Sequence, residues 1–121
     1  MGGRVFLFDK MEEVIREFPQ NKSKIWARNV IERGKPLSAE SAFWASGVNR
    51  IDPGEAIPWH EHAEDEEVYF IISGEGVYLD NEKKAHKVKA GDVTFCLKGE
   101  KHGLENPGPA SLLFGAAIVK K

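Results

Sequence analysis

Only one cysteine, Cys96, occurs in the chain, so an internal disulfide is excluded and nothing suggests a secreted, disulfide-stapled scaffold. Positive charge is not in excess either. Against 17 Lys and Arg stand 19 Asp and Glu, and the cations are scattered rather than gathered into a stripe, which argues against nucleic acid as a partner. Long hydrophobic runs are missing: the longest, Ala110 to Val119, is about ten residues where a membrane helix needs roughly twenty, and it reads as a buried strand. The N-terminus, Met1-Gly2-Gly3-Arg4-Val5-Phe6, has no charged start followed by an apolar stretch and no Ser or Thr at position 6 for myristoylation, so a cytoplasmic location is expected. Repeats, low-complexity segments and an internal linker are absent as well. A chain of 121 residues suffices for one hydrophobic core but not for two. Its 41% hydrophobic and 30% charged residues are the balance of a soluble globular domain, and one domain is expected.

What is present divides into two styles. Met11, Val14, Ile15 and Phe18 recur at helical spacing, with Asp9 placed to cap and Glu12 where a capping box wants it, so a short helix is expected over residues 10 to 18, ended by Phe18-Pro19. The polar stretch from Lys22 to Ser41 is harder to place and is a candidate for a strand exchanged with a partner subunit. Beyond it, turn residues punctuate the chain at strand-length intervals: Gly34 to Pro36, Asp52-Pro53-Gly54, Gly74-Glu75-Gly76, Asp80-Asn81, Gly91-Asp92, Lys98-Gly99 and Asn106 to Pro109. Strands are expected at 42–51, 57–62, 68–73, 77–79, 85–88, 93–97, 102–104 and 112–119. The expected fold is therefore all-β, an antiparallel sandwich or barrel spanning 41–121, with residues 1–40 as an N-terminal helix and arm of the same domain.

Three of the four histidines can be grouped. Side chains alternate along a strand, so His60 and His62 point the same way with two imidazoles close enough to share one ion. A short polar turn then hands the chain to an apolar strand starting at Glu67, whose carboxylate can face back. His102 follows the Lys98-Gly99 turn, and a closed fold can set it beside the first pair. Three nitrogens and one oxygen leave coordination positions open, the mark of a catalytic rather than a structural metal site. Two histidines and an acidic cluster also describe an ordinary solvated loop; the spacing decides between them.

Gly54, His60, His62, Glu67 and Gly74 stand at the intervals Gly, five residues, His-x-His, four residues, Glu, six residues, Gly. Gly91, Gly99, His102 and Asn106 follow in a second fixed register. In both the chain resembles the cupin superfamily, over residues 54 to 106 and without insertion; Leu97 stands where the second motif has proline, a departure that concerns the local turn rather than the ligands. The resemblance implies a double-stranded β-helix or jelly-roll barrel holding one divalent transition metal through His60, His62, Glu67 and His102, and a homodimer. Mixed nitrogen and oxygen ligation suits manganese or ferrous iron, while nickel, zinc or copper bind such donors more tightly when available.

Tyr69 shares the face of Glu67 by alternation and is a candidate substrate-binding residue, although a barrel tyrosine commonly just packs. Phe95 is expected to point inward with Val93 and Leu97 as an apolar wall of the site, where core filling explains it equally well. His86, in a lysine-rich segment, reads as a surface residue, and Cys96 as a structural thiol. Glu64, Asp65 and Glu66 could attract a cation or simply form a solvated turn. The resemblance implies a metal-dependent enzyme on a small organic substrate, with dioxygenase, decarboxylase and isomerase chemistry open, or else a non-catalytic carboxylate- or sugar-binding protein. A purely structural metal ranks last. Cupins similar to oxalate decarboxylase carry arginine three residues before the first ligand histidine. Ile57 stands there, which argues against a simple oxalate reading.

Overall fold

The computed structural model describes residues 3–120. After a single 3-10 turn at Phe8–Lys10, ten strands follow: β1 (Glu13–Phe18), β2 (Ser23–Ile31), β3 (Phe43–Ile51), β4 (Ala56–Glu61), β5 (Asp65–Ser73), β6 (Glu75–Leu79), β7 (Ala85–Lys89), β8 (Val93–Cys96), β9 (Lys101–Glu105) and β10 (Leu112–Lys120). One short helix, α1 (Pro36–Glu40), joins β2 to β3, its first turn preset by Pro36. The strands form two antiparallel sheets, one ordered β1-β2-β3-β10-β5-β8 and the other β4-β9-β6-β7. This is the all-β double-stranded β-helix, or jelly roll, with a single short helix. No helix of the described residues is long and apolar enough to cross a membrane.

Between the sheets lies one core, in which Ile25, Ile51, Leu104, Leu112 and Phe114 are wholly buried and Ile57, Tyr69, Ile71, Tyr78 and Val88 nearly so. Period-two alternation supplies it. On β5, Asp65, Glu67, Tyr69 and Ile71 turn inward while Phe70 and Ile72 face out. The β5–β6 hairpin closes on Gly74, whose φ of +84° favours glycine and where a Cβ would lie 2.4 Å from the Ser111 carbonyl oxygen. Asn106 brackets the far end: its amide donates to the carbonyls of Ile51 and Ala110, and its oxygen accepts from the Gly108 N–H.

Three expectations are corrected. Residues 10–18 are not a helix; β1 pairs with β2 in a hairpin that runs from Glu13 opposite Arg28 to Phe18 opposite Ser23. Positions 14 and 18 lie on one side of a strand as well as of a helix, so the apolar spacing suited both periods, and tertiary pairing chose the strand. Ser23–Ile31 is bonded into this chain's own sheet, between β1 and β3. Finally, Val93, Phe95 and Leu97 face outward, with Phe95 57% exposed. The β5–β8 register sets Cys96 opposite Glu67 and Phe95 opposite Val68, so it is Thr94 and Cys96 that turn inward.

Candidate metal centre

β4 and β9 bring the histidines together, with His60 directly opposite His102 in the ladder. His62 lies just past the end of β4, and its backbone is fixed by its N–H bonding to the Glu100 carbonyl and its carbonyl accepting from Gly99. The turn Leu97–Glu100 that makes this possible closes through Glu100 N–H to the Leu97 carbonyl, with Gly99 at φ +88°. Leu97, in the motif's proline position, uses the N–H that proline would lack to bond the Glu100 carboxylate at 2.9 Å. Glu67 reaches the cluster from β5, in the opposite sheet. Trp59, next to His60, turns away and donates its indole N–H to the Asp80 carbonyl, with the ammonium groups of Lys83 and Lys101 over its ring.

The ligand-type atoms of His60, His62, Glu67 and His102 all lie within 4.8 Å of one another. His62 Nε2 is 3.2 Å from His60 Nε2, 2.9 Å from His102 Nε2 and 3.0 Å from Glu67 Oε1; His102 Nε2 is 3.2 Å from the same oxygen. The other ring nitrogens are already engaged. His60 Nδ1 donates to the Pro58 carbonyl at 2.7 Å, His62 Nδ1 to the Asp65 carboxylate at 2.5 Å, and His102 Nδ1 lies 2.9 Å from the Tyr78 hydroxyl. A carbonyl or carboxylate can only accept, so His60 and His62 each carry a proton on Nδ1, and in the neutral rings the Nε2 lone pairs point into the cluster. Converging lone pairs and a carboxylate repel one another unless a proton or a metal cation lies between them. Bonds of about 2.1 Å in an octahedron put neighbouring donor atoms ~3.0 Å apart, so the donor set fits a six-coordinate divalent ion with positions to spare.

Burial shapes the titration. Desolvation, with His102 and His62 nearby, lowers the His60 pKa. Burial also pulls on His62, but hydrogen bonds and charge from Glu67 and Asp65 outweigh it and raise the pKa. Burial pushes the Glu67 carboxyl up, yet hydrogen bonds from His102 and His62 hold it down at about 2. Tyr69, stacked on His102 at 5.0 Å, is driven well above the usual phenol range by burial and by Glu67. The Cys96 thiol is pushed up to about 12 by burial, which makes it a poor nucleophile. His86 is on the surface, paired with Asp80.

A cavity of about 670 Å³ opens onto the cluster and is lined by His60, His62, Glu67, Tyr69, Ile57 and Asn49 among others. Phe95 does not line it. Three residues that matter here escape sequence reasoning. Asp65, taken as part of a solvated turn, is 4% exposed and couples His62 to Arg33. Counting back by two from Glu67 would have placed it on the inner face. Tyr78 holds His102, and Arg16 lines the cavity from β1; the helical reading of residues 10–18 hid the latter.

A family model described as a cupin domain matches residues 47–115. An oxalate-binding protein of Thermotoga maritima is 43% identical over 70 residues, 58% of this chain and 57% of that protein, so the match spans less than two thirds of the relative. The crystal structure of a predicted oxalate decarboxylase from Thermotoga maritima superposes with a TM-score of 0.86 at 27% identity, covering 98% of this chain and all of that one. A sugar phosphate isomerase of the cupin superfamily from Silicibacter pomeroyi shares the fold alone, with a TM-score of 0.76 at 17% identity over 98% of this chain and 76% of its own.

Proposed function

The chain belongs to the cupin family, and from that premise we propose that it is a metal-dependent enzyme acting on a small organic acid, with His60, His62, Glu67 and His102 as ligands of one divalent ion. The observation that carries this reading is the convergence of three imidazole nitrogens and one carboxylate oxygen within 4.8 Å of one another, each ring fixed from behind, at the edge of a cavity. Bound there, the ion supplies Lewis-acid polarisation of a coordinated oxygen. The chain's own residues orient the ligands: Tyr69 and Ile57 line the inner wall, and the phenol pKa, raised by burial, keeps Tyr69 a neutral hydrogen-bond donor.

Manganese or ferrous iron suits the three-nitrogen, one-oxygen set; nickel, zinc and copper compete for it. Of the three reaction classes, decarboxylation moves ahead of dioxygenation and isomerisation. The name of the predicted oxalate decarboxylase from Thermotoga maritima carries that preference, despite Ile57 at the position of the expected arginine. A second reading, a protein that binds a carboxylate without turnover, is favoured by the name of the oxalate-binding relative. Element analysis of protein purified without a metal-affinity tag separates the presence of the site from its chemistry. About one manganese, iron, nickel, zinc or copper per chain is expected, lost in the double variant His60→Ala, His62→Ala. No metal even after reloading would sink the proposal. Consumption of oxalate or another small acid by the loaded protein distinguishes the enzyme from the binding protein.

We also propose a homodimer in the cytoplasm. Phe70, Ile72, Val93, Phe95 and Leu97 form an exposed apolar face on β5, β8 and the turn after β8, larger than isolated surface residues account for. A buried free thiol suits a reducing compartment.

A further inference from the structure

The cavity has a charge problem that the metal alone does not resolve. Exposed Glu32, Glu61 and Glu64 line it, and a carboxylate substrate must approach past them. Two arginines line it as well. Arg33 is committed: it donates to Asp65 at 2.5 Å and stacks over Trp44. Elsewhere on the same sheet Arg28 pairs with Glu13, and Arg50 with Glu13 and Asp52. Arg16 has no carboxylate among the described residues; its guanidinium rests only 5.3 Å from the centre of the Phe18 ring.

Arg16 is itself exposed, but its place in the ladder sets it on the barrel side of β1. In the β1–β2 ladder Arg16 stands directly opposite Ile25, a wholly buried core residue, so alternation turns it toward the barrel, between Val14 and the core-packed Phe18. The cavity wall also carries Asn49, 7% exposed, whose side-chain amide has no hydrogen-bond partner among the described residues. An uncommitted guanidinium and an uncommitted amide on the wall of one cavity are what a carboxylate needs at the end that does not meet the metal.

We infer that Arg16 is the specificity-determining residue of this site, selecting an anionic substrate from β1 in place of an arginine at position 57. This rests on the metal-bound organic acid reading above. Position 57 on β4 then carries no cation, and β1 supplies one to the wall of the same cavity, so an acid can be held with a different orientation or length.

The test is calorimetric titration of the manganese-loaded protein with oxalate, malonate and the neutral diamide oxamide, on the native chain and on Arg16→Gln and Arg16→Lys. Whichever acid binds the native protein is expected to lose roughly tenfold in affinity in Arg16→Gln, about one charge-assisted contact at a partly solvated position, and to regain most of it in Arg16→Lys. Manganese affinity and oxamide binding stay the same in all three proteins, and the gap between native and Arg16→Gln narrows as salt rises. An acid that binds Arg16→Gln as well as the native protein overturns the inference while leaving the metal-bound acid reading intact. Failure of the native, loaded protein to bind either acid overturns both.

Discussion

At the scale of single residues, the cluster is held from behind as much as by its four donors. Asp65 fixes the proton of His62 on Nδ1 and is itself anchored by Arg33, while Tyr78 holds His102. Partners of this kind commonly contribute a factor of about 10–100 in metal affinity. Asp65→Asn and Tyr78→Phe are therefore each expected to weaken manganese binding by about that factor, read by competition against a chelating dye, with the far-ultraviolet circular dichroism unchanged. His60, His62, Glu67 and His102 are legible in the sequence because their spacing is fixed by strand alternation and by two turns, both local properties. Asp65 and Tyr78 are not, because an acid in a polar turn and a tyrosine in a strand each have a commonplace use, and only the tertiary placement of His62 and His102 gives them another.

At the scale of elements, most strands could be read from the sequence because turn residues bracket them, and β3 to β10 fall where expected. The first hairpin could not. Val14 and Phe18 suit either period, and it is β2, bonded to β3, that makes the extended form the better one. Side-chain direction on β8 was lost for a related reason: Val93, Thr94, Phe95 and Cys96 mix apolar residues on both faces, and only the register with β5 says which face is inner. Gly74 gives this level its test. Its positive φ and the 2.4 Å approach of a Cβ to the Ser111 oxygen predict that Gly74→Ala destabilises the protein by about 2–4 kcal/mol, measurable by urea denaturation. Gly54→Ala has the same sign of φ but nothing within 4 Å, so its cost is confined to backbone strain, at about 1 kcal/mol.

At the scale of the whole molecule, the core meets the cluster at Tyr69 and Tyr78 but extends well beyond it. Ile25, Ile51, Leu104, Leu112 and Phe114 bury their side chains without help from an ion. Chelation is thus expected to lower the melting temperature while leaving a cooperative transition and native circular dichroism; an unfolded apo-protein would instead mark the metal as structural. The outward apolar face makes a separate prediction. Phe95→Asp, at an exposed position outside the cluster cavity, should shift the mass measured by light scattering from dimer to monomer without loss of bound metal. A native chain that is already monomeric at high concentration would remove the dimer.

The placement of Trp59 also has a spectroscopic use. Its indole is anchored to Asp80 beneath two ammonium groups, one residue along β4 from His60, while Trp44 stacks on the arginine that grips Asp65. Two of the three tryptophans in the chain are thereby wired to the cluster, one through the backbone and one through a chain of side chains. Loading with a quenching ion such as copper should dim the intrinsic emission in proportion to occupancy and level off at one equivalent, so the protein carries its own gauge of how full its site is.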